Sequence, residues 1–249
     1  MLNNGAPAAS QSNTQKEQFS ACFQSLGPEV LGGDMTCVME QIANDASLAI
    51  AGGRSAEAEA LATFMPYLLC GEESAVHAFY RESRRQRKAN VAAQQLFLRI
   101  AREEKVHELM LNRLVSELPQ PKHLEAMRRM GHDFFVGLAD PDPGVHFARV
   151  AALDSGVCKI MAVLCAAPKV SRVPAVFRVF NKVRADERTH VRISRQYVLD
   201  LGLSRDVLNQ ATDFVCPALA DFLAPGGDVL ETMGIDPDRL FRRIRREEV

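Results

Sequence analysis

Two copies of one short pattern constrain this chain more than any other feature. Residues 104–107 read Glu-Lys-Val-His and residues 187–190 read Glu-Arg-Thr-His, 83 residues apart, and an acidic residue, Glu103 or Asp186, precedes each copy. On an α-helix a step of three residues turns the side chain by about 300°, so the Glu and the His of each copy point the same way. One carboxylate and one imidazole on the same helix could then reach a common metal ion.

Each copy has a further acidic residue upstream. Glu72 stands 32 residues before Glu104, and Asp154 stands 33 residues before Glu187. This repeat predicts two helical hairpins, and together they supply two single acids and two Glu-x-x-His pairs, the ligand set of a di-metal carboxylate site. We therefore predict an all-α four-helix bundle with additional flanking helices. The predicted metal ligands, which are also the predicted catalytic residues, are Glu72, Glu104, His107, Asp154, Glu187 and His190.

Two neighbouring acids compete for the ligand position on the first bundle helix. Glu73 would project about 100° further round the helix than Glu72. Glu72 shares its face with the apolar stripe that contains Leu68 and Phe79. We favour Glu72 for this reason, and Glu73 is the alternative.

The composition along the chain divides it into three segments. Residues 1–34 are rich in Asn, Ala, Ser, Gln and Gly, and we expect them to be flexible or loosely attached. Residues 35–224 have an apolar period near 3.6 and should form one helical domain. Residues 225–249 form an arginine-rich amphipathic tail.

The apolar period and the helix-stop residues also locate the bundle helices. We expect apolar pocket walls from phenylalanines on these helices. For His77 and His146 we favour positions at the surface or behind the ligands, and a position in the pocket wall is the alternative. Tyr80 and Tyr197 are candidates for hydrogen bonding near the metals. The first predicted helix starts near Ser55. The other three run from about Asn90 to Glu117, from about Val145 to before Pro168, and from about Pro174 to before Gly202. The predicted pocket walls are Phe79, Phe97, Phe147 and Phe180.

Composition limits the classes of partner. Lys and Arg number 30 against 31 Asp and Glu, so no net field favours nucleic acid or an anionic membrane. No apolar run approaches the roughly 18 residues that a membrane span needs. The six cysteines form no CxxC pair and follow no secretory leader, so we expect free thiols and a cytoplasmic location.

At the level of motifs the chain resembles the ferritin-like di-iron carboxylate superfamily. Residues 71–75, Gly-Glu-x-x-Ala, and residues 186–190, Asp-Glu-x-Thr-His, are similar to segments of rubrerythrins and of aldehyde-deformylating oxygenases. The resemblance implies the same six ligands. Most members of these groups have Glu where this chain has Asp154, which would loosen that side of the site. Val183 stands where some arylamine N-oxygenases have a further histidine ligand.

The resemblance implies a non-haem di-iron oxidase or oxygenase that uses O2 as co-substrate on a small organic metabolite. Manganese or a mixed pair would accept the same ligands. Three alternatives use similar centres: a ferroxidase or other iron-handling protein, a peroxidase or manganese catalase, and a di-iron tRNA hydroxylase. The absence of a CxxC module disfavours the rubrerythrin-type peroxidase.

The expected partners follow from this function. We expect a small-molecule substrate, an electron donor such as a ferredoxin if turnover needs one, and no membrane. A homodimer is common for such bundles. Residues 81–88 contain five basic side chains that could contact phosphate. We interpret them as a solvated helix end and do not expect nucleic acid as a partner.

Overall fold

The computed structural model describes residues 23, 26–32, 34–48 and 55–245, and within this part every regular element is helical. The predicted all-α class is confirmed. The helices are α1 (Pro28–Leu31), α2 (Asp34–Asn44), α3 (Ala56–Gln86), α4 (Val91–Val115), α5 (Leu124–Gly137), α6 (Pro143–Ala166), α7 (Pro168–Ser171), α8 (Pro174–Asp200), α9 (Arg205–Leu223), α10 (Gly227–Thr232) and α11 (Pro237–Arg245).

Local capping interactions set where the four long bundle helices start. The side chain of Ser55 accepts a hydrogen bond from the backbone of α3, and Asn90 does the same for α4. Asp142 caps α6, and Pro174 occupies the first turn of α8, where its missing N–H costs nothing. Gly202, with φ of +82°, follows the end of α8. The bounds therefore agree with the sequence prediction to within about two residues.

The bundle consists of two helical hairpins. Helices α3 and α4 pack along each other, as do α6 and α8, and the two hairpins meet where α4 contacts α8. Outside the bundle, α5 covers α3, while α9 covers α6 and is itself covered by α11. This arrangement places the middle of each long helix at the centre of the molecule.

Phenylalanines fill one end of the bundle. Phe79, Phe97 and Phe147 are fully buried, with ring centroids 5.2–6.2 Å apart. Phe180 is buried in the other part of the core. None of the four lines the cavity between α3 and α6 that adjoins the predicted ligands, so they do not form the walls of that cavity. They fill the space between the helices because each faces other apolar side chains.

Most of the segment 1–34 lies outside the described residues, and its flexibility stays a prediction. Within it, Leu31 is buried in the core and its carbonyl accepts a hydrogen bond from Arg102. One further expectation, on the cysteines, changes. Cys37, Cys158 and Cys165 are free, whereas Cys70 is disulfide-bonded, so the expectation of free thiols throughout is wrong. Sequence spacing does not show which cysteines approach closely enough to pair.

The described helices also bear on the membrane. None of them combines the length and the apolar character that crossing a bilayer requires.

We predict that Phe79→Ala destabilises the protein by about 3–5 kcal/mol, because it removes a fully buried ring and leaves a cavity among its neighbours. Urea unfolding of the two proteins would measure the change in the free energy of unfolding. The matched control is Phe177→Ala, whose ring on α8 is 38% exposed and should cost about 1 kcal/mol or less. Equal losses for the two variants would contradict the packing described.

Candidate metal centre

The six predicted ligands come together at the centre of the bundle. Helix α3 supplies Glu72, α6 supplies Asp154, and α4 and α8 each supply one Glu-x-x-His pair. All six side chains are buried, and none is more than 5% exposed. Apolar residues surround them because the acids lie on the inward stripes of otherwise amphipathic helices. A cluster of this charge in a core needs counter-charges.

Two carboxylates lie between the two imidazoles. Glu104 Oε1 is 2.8 Å from His190 Nδ1, and Glu104 Oε2 is 3.3 Å from His107 Nδ1. Glu187 has the same arrangement at longer range. Its Oε1 is 3.8 Å from His107 Nδ1, and its Oε2 is 3.7 Å from His190 Nδ1. Each carboxylate therefore directs one oxygen to each histidine. This is the position from which a carboxylate can bridge two cations.

The remaining two acids flank this central group. Glu72 Oε2 lies 3.2 Å from His107 Nδ1, on the α3 side. Ligand atoms from Glu72, Glu104, His107 and Glu187 lie within 4.8 Å of one another, close enough to hold a metal ion. Asp154 is buried on the α6 side, close enough to Glu187, Glu104 and His190 for their charges to act on its carboxyl group. The centre thus has one flanking acid from each hairpin.

Two acids outside the ligand set hold the histidines, and they do so crosswise. His107 on α4 pairs through Nε2 with Asp186 of α8, at 2.9 Å. His190 on α8 pairs through Nε2 with Glu103 of α4, also at 2.9 Å. The acidic residue before each Glu-x-x-His therefore accepts a hydrogen bond from the histidine of the other copy. The repeated position of an acid before each Glu-x-x-His is the sequence signal for this role, but the repeat alone does not show which histidine each acid contacts.

The charges in the cluster shift the pKa values of its members in opposite directions. Burial, and then the neighbouring acids, raise the pKa values of Asp154 and Glu187. Burial likewise raises the pKa of Glu72 well above its ordinary value. Burial alone would lower the pKa of His107, but the carboxylate of Glu72 and the other acids raise it well above the ordinary histidine value. In the metal-free protein, protons thus supply the counter-charge that cations would supply.

Glu73 faces a different part of the structure. Its Oε2 accepts a hydrogen bond from the backbone N–H of Phe23, at 3.1 Å. Glu72, by contrast, contacts His107. The step of about 100° between consecutive residues on α3 separates the two side chains. The structure therefore places Glu72 within the cluster, while the ligand role of all six residues stays a prediction.

The residues present fit two metal ions. Buried polar atoms without a hydrogen bond of good geometry include both oxygens of Glu104, Oδ2 of Asp154, Oε2 of Glu187 and Nδ1 of His190. Buried polar groups are nearly always satisfied, so such a concentration indicates missing partners. Carboxylate oxygens with some imidazole suit iron or manganese. Glu72, Glu104, Asp154 and Glu187 with the two Nδ1 atoms would hold the pair, and Glu103 and Asp186 would orient the rings.

A cavity adjoins the cluster. It has a volume of about 70 Å³, lies between α3 and α6, and is covered by α5 and α9. Glu72 and Asp154 form part of its wall, and most of the rest is apolar, including Phe135 and Phe222. A small organic molecule in this cavity would therefore lie directly beside the two flanking acids.

Two polar residues outside the ligand set have defined positions. His146 is half-buried and lines the cavity, which is the alternative to the favoured position at the surface or behind the ligands. Its position depends on how α5 and α9 cover α6, which the period of α6 does not reveal. Tyr197 does not contact the ligands; its hydroxyl bonds with Glu82, Arg85 and Gln86 near the end of α3.

We predict that Asp186→Asn weakens metal binding by about 10- to 100-fold, because outer carboxylates fix the orientation and basicity of metal-bound imidazoles. Mn²⁺ titration followed by electron paramagnetic resonance of the free ion would measure the affinity. Asp200→Asn is the matched control, since Asp200 lies on the same helix and accepts only from Gln196 among the contacts seen. Equal affinities for wild type and Asp186→Asn would contradict the proposed role of Asp186.

Comparison with known proteins agrees with this geometry in part of the chain. No curated protein and no solved structure matches the sequence. The match to a family covers the second half of α3, all of α4 and all of α5, and so includes Glu72, Glu104 and His107. The resemblance to ferritin-like di-iron proteins is confirmed there: residues 69–137 match the family model for rubrerythrin.

Proposed function

We propose that the protein is a non-haem di-iron oxidoreductase that uses O2 to oxidise a small, largely apolar organic molecule. The observation that carries the proposal is the position of Glu104 and Glu187, each with one oxygen directed to each imidazole. The rubrerythrin match and the buried cluster support a di-iron protein. A bound pair of ferrous ions supplies electrons to dioxygen.

The side chains of this protein would prepare the site in three ways. Glu103 and Asp186 accept hydrogen bonds from the Nε2–H groups, which leaves each Nδ1 free to bind a cation once its proton is lost. Glu104 and Glu187, each with one oxygen directed to each imidazole, would help to hold the two cations. The apolar core around them excludes water, so that electrostatic interactions with the reacting molecule are strong.

The apolar walls of the cavity favour an organic molecule as the substrate over iron ions that are to be oxidised or stored. Transit of iron would require hydrophilic ligands along its route, whereas the cavity beside Glu72 and Asp154 is walled mostly by apolar side chains. An apolar cavity of this kind suits an organic molecule. The cytoplasmic location, a ferredoxin-type electron donor and a homodimer stay predictions.

Reaction with oxygen tests the proposal. We expect protein loaded anaerobically with ferrous iron to give a transient visible absorption band and rapid O2 consumption on mixing with oxygen, measured by stopped flow and an oxygen electrode. Glu187→Ala should lose the band, because it removes one of the two acids shared between the imidazoles. Identical traces for wild type and Glu187→Ala would overturn the proposed oxygen chemistry.

The adjacent acids on α3 provide a matched pair of variants. We expect Glu72→Gln to reduce the rate of O2 consumption at least about tenfold, because Glu72 lies in the cluster. Glu73→Gln should keep the wild-type rate within about twofold, because Glu73 bonds with the backbone of Phe23 instead. The reverse ranking of the two variants would show that Glu73 is the ligand.

A further inference from the structure

The histidines of the metal centre are linked to the protein surface where α4 meets α8. Glu103 and Asp186 contact the two imidazoles, yet their side chains are 36% and 22% exposed. One hydrogen bond of 2.9 Å therefore separates each ring from a carboxylate that reaches solvent. The cavity lies on the other side of the bundle, between α3 and α6. A substrate and a second reaction partner could thus approach the centre from different sides.

Three arginines of α8 lie on its outer face beside this contact. Arg188, Arg192 and Arg195 are spaced by four and three residues, which places them on one face of the helix. All three are exposed, and none forms an ion pair or a hydrogen bond with another described residue. No exposed residue of α8 between positions 183 and 196 is acidic. We call the surface formed by these three side chains the arginine face.

The arginine face belongs to the same helix as two of the predicted ligands. Arg188 directly follows Glu187, and Arg192 lies two residues after His190. An α-helix with its side chains is about 10–12 Å thick, so a molecule bound to the arginine face lies about one helix thickness from the centre. Electron transfer between proteins slows steeply as the separation increases. This short separation therefore suits a protein that carries electrons.

The charges around the arginine face favour an acidic partner. Lys182 pairs with Asp186, and the guanidinium of Arg99 lies 3.7 Å from Glu103, so the two partly exposed acids are already paired. The net charge of the whole chain is −1, so the excess of positive charge is local. Such a cluster attracts a surface of carboxylates and orients it.

The same surface is less suited to nucleic acid. The three arginines extend over only about two helical turns, whereas binding to phosphates gains its strength from many contacts along the backbone. No exposed aromatic side chain lies between Arg188 and Arg195 that could stack on a base. An acidic protein of small size is therefore the better match.

We propose that the arginine face is the docking surface of a small acidic electron-transfer protein. The inference rests on the proposed function and deepens it, since it names the class of electron donor and the surface that binds it. Each docked carrier loses one electron, so two encounters reduce two ferric ions to the ferrous state that reacts with O2. Arginine suits this role because it stays charged and pairs with carboxylates in a defined geometry.

Binding of a plant-type [2Fe–2S] ferredoxin, which is an acidic one-electron carrier, tests the proposal on the metal-free protein. Isothermal titration calorimetry at low and high salt would give the affinities. We expect binding at about 50 mM salt and at least about tenfold weaker binding at about 500 mM, because salt screens interactions between exposed charges.

Neutralising the arginine face should weaken this binding. We expect the triple variant Arg188→Gln, Arg192→Gln, Arg195→Gln to bind the ferredoxin about 5- to 50-fold more weakly at low salt, since each exposed charge pair contributes up to a few-fold. In protein loaded with ferric iron, the rate of reduction by dilute reduced ferredoxin should fall by a similar factor. Melting curves would check that the variant is folded.

A second triple variant is the matched control, because it removes the same total charge from other surfaces. It should keep the wild-type affinity within about twofold. The three substitutions are at exposed arginines on α5, before α8 and on α11: Arg129→Gln, Arg172→Gln and Arg242→Gln.

Two other probes distinguish the class of partner. Cytochrome c also carries one electron but is basic, so we expect it not to bind at low salt. A short RNA duplex tests for a nucleic acid partner. The proposal is overturned if the ferredoxin does not bind or does not reduce the iron, if either other probe binds more tightly, or if the two triple variants lose equal affinity.

The binding test is independent of the oxygen chemistry. It needs neither metal nor O2, so a ferredoxin that does not bind leaves the stopped-flow result untouched. Conversely, binding through the arginine face in a protein that does not react with oxygen would retain the docking surface and overturn the proposed function alone.

Discussion

The burial of four carboxylates around two imidazoles is the constraint on which the rest of this structure depends. Glu104 is fully buried and Glu187 nearly so. Isolated charges at such positions cost several kcal/mol each, and removing their counter-charge is strongly destabilising. In the metal-free protein, protons on the histidines and on the acids with raised pKa values reduce this cost. Two cations would offset it more completely, and would do so with the ligand chemistry already present.

Glu103 and Asp186, the acids that contact the histidines, connect this centre to the helices of the bundle. Asp186 of α8 bonds with a histidine of α4, and Glu103 of α4 bonds with a histidine of α8. The two hairpins are therefore joined by two reciprocal contacts where α4 meets α8. Because α5 and α9 cover the side where α3 faces α6, a cavity remains there instead of a filled core. Metal site and cavity thus lie on adjoining parts of one bundle.

Local sequence determines much of this fold, which explains what could be predicted. The starts of α3, α4 and α8 follow from Ser55, Asn90 and Pro174, whose effects act within one turn. The face of each bundle helix follows from a period of 3.6, so Glu72 could be separated from Glu73. The Glu-x-x-His repeat indicated which helices would supply the cluster.

The remaining features depend on contacts between elements distant in sequence. The crosswise pairing of Glu103 with His190 requires the offset between α4 and α8, which no local pattern encodes. The place of His146 in the cavity wall depends on the outer helices. The inward faces of the helices predict that Phe79, Phe97 and Phe147 face the interior, but they do not show that these three rings pack against one another.

The number of metal ions bound per chain tests the central claim most directly. Anaerobic equilibrium dialysis against ferrous iron, followed by elemental analysis, would give the stoichiometry, and X-ray absorption would give the iron–iron separation. The account predicts two ions per chain, about 3.5–4 Å apart, with nitrogen and oxygen ligands. One ion or none at saturating iron would contradict it and would leave the buried acids and imidazoles as a proton-balanced structural core.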